Sequence, residues 1–302
     1  MKIGIRIHNL RTDGQPGDAL SYAEIRDIAE LAEDGGLDSI WLSDHMLYRF
    51  DPAVTTGPWE CWTTLAALAE VTERVELGTI VLCSPFRNPA LVAKMAHTLD
   101  EVSGGRLILG VGAGWHQPEF EAFGYPFDRR VSRMDEALQI LKPLLAGRRV
   151  DFAGDYHRVV DCLIKPLGPR PQGIPLLVGA SGPRMLRLTA RHADQWNTCW
   201  LGDPQELASR REQMRSACLD EGRDPDTLAV TVGVSVSFPD LGTAQPAAKL
   251  PLSGPVPVLA QAFQRYADAG ADHLILHTAP QTTTSLDRVS RAVRLFQQEA
   301  TA

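Results

Sequence analysis

Apolar and polar positions along this chain follow two periods that take turns. Lys2-Ile-Gly-Ile-Arg-Ile-His8 alternates at period two, the spacing of a strand. Residues 21–34 then repeat at helical spacing through Ile25, Ile28, Ala29, Leu31 and Ala32. Ser21 and Glu24 form a capping box at its start, and Gly35-Gly36 end it. The same exchange recurs as strand 38–42 with helix 59–71, strand 75–82 with helix 89–102, and strand 107–111 with helix 132–145. It continues as strand 175–178 with helix 183–192, strand 194–198 with helix 204–221, strand 228–236 with helix 256–269, and strand 272–277 with helix 285–299. Strict alternation of strand and helix predicts a closed parallel (β/α)8 TIM barrel as a single domain over 1–302. The end of one helix and the following strand, 31–42, echo 266–276, as repeated barrel units do. Two stretches stand outside the rhythm. Residues 147–171 carry short β-like pieces at 149–152 and 156–164 and predict an appended hairpin. Residues 239–257, rich in Pro, Gly and Ala, are a candidate lid loop.

Composition narrows the partners. A net charge of −7 argues against nucleic acid, whose phosphates call for a basic face. Five cysteines, odd in number and without a C-x-x-C pair, argue for a reducing compartment and against a disulfide framework. Met1 leads directly into a strand pattern, and no apolar run reaches the ~18 residues of a membrane span. The expectation is a cytoplasmic protein with no membrane partner.

Barrels of this kind place their chemistry at the carboxyl ends of the strands. Those ends bring forward His8, Asp44 and His45, Cys83 and Ser84, Gly112 to Trp115, Gly179 to Gly182, Asn197 and Thr198, and His277. The three strand-end histidines, His8, His45 and His277, show neither H-x-H nor helical i,i+4 spacing among themselves, so no metal site is expected. Gly179-Ala-Ser-Gly-Pro-Arg184 joins a strand to a helix, with Pro183 set for the first turn. Free N–H groups at such a helix start make a phosphate seat, although an ordinary capped turn has the same composition. Gly110, Gly112 and Gly114 do not make a dinucleotide fingerprint: the third glycine comes too soon, and Pro118 interrupts the segment. They fit a tight turn or close approach to a flat ligand, with Trp115 beside it.

Four blocks in order carry a family likeness: Trp41-Leu-Ser-Asp-His45; Leu77-Gly-Thr-Ile-Val-Leu-Cys-Ser-Pro-Phe-Arg-Asn-Pro89; Gly104-Gly-Arg-Leu-Ile-Leu-Gly-Val-Gly-Ala-Gly-Trp115 with Glu119-Phe120; and Gly179 to Arg184. In these the chain resembles the luciferase-like flavin and deazaflavin oxidoreductases, and most closely their coenzyme F420-dependent branch. The resemblance implies hydride transfer between reduced F420, or alternatively FMN, and a small-molecule substrate. FMN-dependent monooxygenation with O2, and a non-catalytic flavin-binding protein, are the alternatives. It implies a cis peptide at Ile80–Val81 backing the ring, with Cys83 beside it. Asp44 and His45 match positions at the cofactor or reacting centre, Ala113, Gly114 and Trp115 match ring and tail contacts, and Gly179, Ala180, Ser181, Gly182 and Pro183 match the phosphate loop. A homodimer and a separate flavin or F420 reductase are partners the family pattern admits. In the sugar-phosphate dehydrogenase branch an acidic residue follows the glycine pair; Trp115 stands there instead, so that branch's substrate and proton route do not transfer. His45 is the expected proton-transfer residue, because imidazoles titrate near neutrality, and Glu119 is the second catalytic candidate.

Overall fold

A computed structural model describes residues 1–8, 10, 19–242 and 250–299. Strand β1 (Lys2–Arg6) leads to α1 (Tyr22–Asp34), followed by β2 (Ser39–Leu42), α2 (Cys61–Val71), β3 (Glu76–Thr79), β4 (Leu82–Cys83) and α3 (Pro89–Val102). Next come β5 (Leu107–Gly112), α4 (Gln117–Phe123), α5 (Arg130–Leu145) and a hairpin of β6 (Val150–Ala153) and β7 (Arg158–Cys162). The last third holds β8 (Leu176–Gly179), α6 (Pro183–His192), β9 (Gln195–Leu201), α7 (Pro204–Asp220), β10 (Ala229–Ser237), α8 (Val256–Asp268), β11 (His273–Ala279) and α9 (Thr283–Glu299). Parallel pairing runs β3-β2-β1-β11-β10-β9-β8-β5, and β3 pairs with β5 to close the ring. With β4 as the continuation of β3, this is the expected (β/α)8 barrel. No described helix is long and apolar enough to cross a membrane.

Strand alternation builds two apolar layers, which is why the strands read as nearly continuous apolar runs. Ile3 and Ile5 point outward into one cluster with Ile25 and Ile28 of α1 and Val289 and Val293 of α9. Trp41, Ile80, Ile108, Leu177 and Ile275 fill the barrel's own interior. Each fully buried aliphatic side chain contributes about 1.5–3 kcal/mol, so both layers hold the ring closed. Inward positions nearer the mouth are free of that packing duty and carry polar groups.

Three local readings change. The predicted strand 75–82 is interrupted: pairing stops at Thr79, the Ile80–Val81 peptide is cis as the resemblance implied, and pairing resumes at Leu82. A second non-proline cis bond, Cys199–Trp200, lies in β9, which runs three residues past its predicted end. Pro118 sits in the first turn of a helix rather than breaking one, because its missing N–H and fixed φ suit that turn. The hairpin forms as expected, its turn held by α5: the Glu136 carboxylate accepts N–H bonds from Asp155, Tyr156 and His157 at 2.7, 2.9 and 2.9 Å. Of the 239–257 loop, 243–249 lie outside the described residues. One flank forms a 3-10 turn, Pro239–Leu241; on the other, Leu252 donates to Ser235 O at 2.8 Å and accepts from Ser237 N–H at 2.7 Å.

Candidate active site

A cleft of about 420 Å³ opens at the carboxyl ends of the strands. Just past β2, Asp44 turns inward and is almost fully buried. Its carboxylate accepts two bonds from Arg87, at 2.6 and 3.0 Å, and one from Cys83 N–H at 2.9 Å. Arg87 also reaches Glu60 at 2.6 Å. Burial pulls the Arg87 pKa down, but its bonds to Asp44 and Glu60 outweigh that and hold it above the usual value. Asp44 is thereby a fixed anion that fastens the end of β2 to the chain after β4. The Cys83 thiol is pushed well up, by burial first and by Asp44 next, so it stays protonated.

His45 and Glu119, the two catalytic candidates, meet in this cleft. His45 Nδ1 lies 3.0 and 3.3 Å from the two carboxylate oxygens of Glu119. Glu119 sits in the first turn of α4, is 1% exposed, and also accepts Met46 N–H at 3.0 Å. A carboxylate accepting from a backbone N–H calls for the Nδ1–H tautomer of His45, which leaves Nε2 for a ligand. The ring is held by Tyr48 and Trp115, with centroids 4.5 and 5.5 Å away. Burial raises the Tyr48 pKa to about 12, so the phenol keeps its proton. His116 accepts Arg49 N–H at Nε2, 3.0 Å away, a bond only the neutral ring can make; burial lowers its pKa in the same sense. Phe50 stacks on Trp115 at 6.2 Å, giving the mouth an aromatic rim.

The opposite wall is backbone. Gly112 has no side chain because Val81 fills the space: an added Cβ would lie 2.5 Å from Val81 Cγ2. Gly114 has φ +77°, and a Cβ there would meet Phe120 and Cys83. Ile80, Val81, Ala113, Gly114 and Trp115 all line the cleft, as do Asp44, His45, Cys83 and Glu119. Of the phosphate loop, Gly179, Ala180 and Ser181 line it, while Gly182 and Pro183 form the start of α6 just outside. No side chain caps that helix start, and a Cβ on Gly182 would meet nothing within 4 Å. Arg184 points away from this seat to Ser132, 3.0 Å away. His8 and His277 stand outside the lining.

Several lining residues belong to none of the motifs, among them Tyr48, Met185 and Trp200, and sequence reading also left out Arg6, although a signal for it was present. That signal is the strand period: the alternation that turns Ile3, Ile5 and Ile7 outward turns the charged Arg6 into the barrel.

Residues 1–285 match the family described as luciferase-like monooxygenase, and the chain belongs to that family. It is 37% identical over 198 residues to the F420-dependent glucose-6-phosphate dehydrogenase of Amycolatopsis mediterranei, a stretch covering 64% of this chain and 56% of that one. It is 30% identical over 218 residues to the 5,10-methylenetetrahydromethanopterin reductase of Archaeoglobus fulgidus, covering 72% of this chain and 61% of that one. The matched stretch thus spans less than two thirds of either relative's length. In fold, the chain superposes on an F420-dependent secondary alcohol dehydrogenase with an F420-acetone adduct, with TM-score 0.79, 19% identity and 98% coverage of both chains.

Proposed function

We propose that this protein is an oxidoreductase moving a hydride between reduced coenzyme F420 and a small organic substrate, with His45 handling the proton. The observation that carries this reading is the His45–Glu119 pair, 3.0 Å apart and placed in the same cleft as the backbone wall. The F420 requirement named for the Amycolatopsis relative supports the choice of cofactor. The cleft suits such a group. Gly112 and Gly179 let Val81 pack against β5 and β8, so that Ile80–Val81 and Ala113 can back a planar ring, and the uncapped start of α6 offers N–H groups to a phosphate. When bound, F420 supplies the hydride.

The chain's own residues do the rest. Gly179 to Ser181 and the first turn of α6 hold the phosphate of the tail, and Ile80, Val81 and Ala113 set the depth of the ring. Trp115 and Phe50 shield the mouth from water. Glu119 orients the imidazole through Nδ1 and stabilises its charged form, so that Nε2 can give a proton to the substrate atom and take one back. Glucose 6-phosphate does not transfer from the relative, since Trp115 occupies the place of that branch's acid.

Titrating the purified protein with F420 and FMN separately tests the cofactor; binding of F420 is expected. His45→Ala is expected to keep F420 affinity while kcat falls by about 10²–10⁴. Turnover that needs reduced FMN and O2 and ignores F420 would make the protein a monooxygenase instead. Unchanged turnover in His45→Ala would remove the proton assignment.

A further inference from the structure

Arg6 is 9% exposed and lines the cleft, yet its guanidinium makes no hydrogen bond or ion pair among the described residues. It lies 5.3 Å from the Trp200 ring centre, a contact too weak to offset the desolvation of a buried ion. Beside it, His277 buries Nδ1 with no partner among the described residues, its ring 5.1 Å from that of His8 and 5.6 Å from that of Trp200. Burial, with the Arg6 charge added, lowers the His8 pKa to about 3 and holds that of His277 well below 6.5. Both imidazoles are neutral near pH 7, whereas a guanidinium remains charged. The cleft's own carboxylates are committed elsewhere, Asp44 to Arg87 and Glu119 to His45. Among the described residues the cluster therefore holds a single positive charge and no anion.

Its place in the ring says what the missing anion belongs to. With β4 counted in β3, β1 lies four strand positions from β8 in either direction, and β11 four from β5. Arg6 thus stands across the barrel from Gly179, and His277 across from Gly112. Those two glycines belong to the wall assigned to the cofactor, so Arg6 faces whatever lies over the free side of the ring. We propose that Arg6 is a substrate-specificity residue that pairs with the carboxylate of a small carboxylic acid substrate. One fixed charge among neutral imidazoles suits a carboxylate better than a phosphate dianion. The proposal rests on the hydride-transfer reading of this cleft.

The test is thermal unfolding of ligand-free wild type, Arg6→Met and Arg6→Gln with millimolar crotonate, crotonamide or inorganic phosphate at constant ionic strength, alongside F420 titrations. Crotonate is expected to stabilise wild type, its neutral isostere crotonamide is not, and both variants should bind crotonate at least tenfold more weakly. F420 affinity should be unchanged in both, and Arg6→Met should melt higher than wild type without ligand, since it removes an unpaired buried charge. Equal responses to crotonate and crotonamide would overturn the proposal, as would an unaltered crotonate response in the variants. So would a phosphate effect that depends on Arg6, or a tenfold loss of F420 affinity, which would assign the guanidinium to the cofactor. Failure of wild type to bind F420 would sink the hydride-transfer reading alone, because the crotonate comparison uses ligand-free protein.

Discussion

A buried carboxylate is stable only with its donors in place, and Asp44 has three. Arg87→Met removes two and leaves a charge with nowhere to go. Breaking one side of a buried pair costs about 3–5 kcal/mol, so urea unfolding should show a loss of that size. The double variant Arg87→Met, Asp44→Asn should recover part of it, and additive losses would mean the pair is not coupled. Glu119 offers a second check. Glu119→Gln keeps the shape but lowers the power to orient and stabilise a charged imidazole, so kcat should fall with little change in F420 affinity. An equal fall in F420 affinity would instead place Glu119 among the cofactor contacts. At this scale the sequence is half legible. Asp44 and His45 stand out because a strand period ends on them. Their partners lie 43 and 74 residues away on other elements, and no local period links such positions.

Elements were legible wherever a period ran long enough, and obscured wherever backbone chemistry broke it. The run 75–82 has the apolar content of one strand, but its pairing stops at Thr79 and resumes at Leu82. The short helix α4 was missed because its seven residues span two turns and carry, in the first turn, a proline usually read as a breaker. That omission concealed how Glu119 reaches His45. The hairpin of β6 and β7 was legible as β-rich, but its attachment was not, since Glu136 holds its turn through backbone N–H groups. Burial disfavours the Glu136 carboxylate, but these three bonds outweigh that and lower its pKa below 4.5. A carboxyl group depressed in the folded state contributes stability that is full above its unfolded pKa and is lost as pH falls through the folded value. Protection from amide exchange at Asp155, Tyr156 and His157, taken relative to the intrinsic rate at each pH, should therefore be full above pH 4.5 and fall below it. In Glu136→Gln the protection should be lower at neutral pH and lose its acid dependence. Slow exchange in that variant would show that strand pairing alone holds the turn.

For the whole molecule, the cleft draws on both halves of the barrel: His45, Val81 and Gly112 from the first, Gly179 and Trp200 from the second. A ligand touching both halves binds the folded state alone, so it must stabilise the entire ring. At 100 times its Kd that stabilisation is about 2.7 kcal/mol. For a chain of 302 residues, whose unfolding entropy at about 2.1 cal/mol/K per residue is about 0.63 kcal/mol/K, it should raise Tm by roughly 4 °C. Closed-barrel topology was legible from the alternation of elements, but which strand faces which across the mouth became visible only with the ring's register. Gly182→Asp separates the fold from the site. The position has extended backbone, and an added Cβ there meets nothing within 4 Å. Asp is moreover a favoured N-cap, since its carboxylate accepts the free N–H groups of the first turn. Ligand-free Gly182→Asp should therefore melt at or slightly above the wild-type temperature. The same carboxylate occupies the N–H groups a phosphate would use and repels it, so F420 affinity should fall at least tenfold (about 1.4 kcal/mol). Calorimetric scans with and without F420 check both halves of this expectation. A variant that melts normally and keeps its full F420-induced rise would move the phosphate away from α6; one that melts far lower would show that the glycine serves the fold.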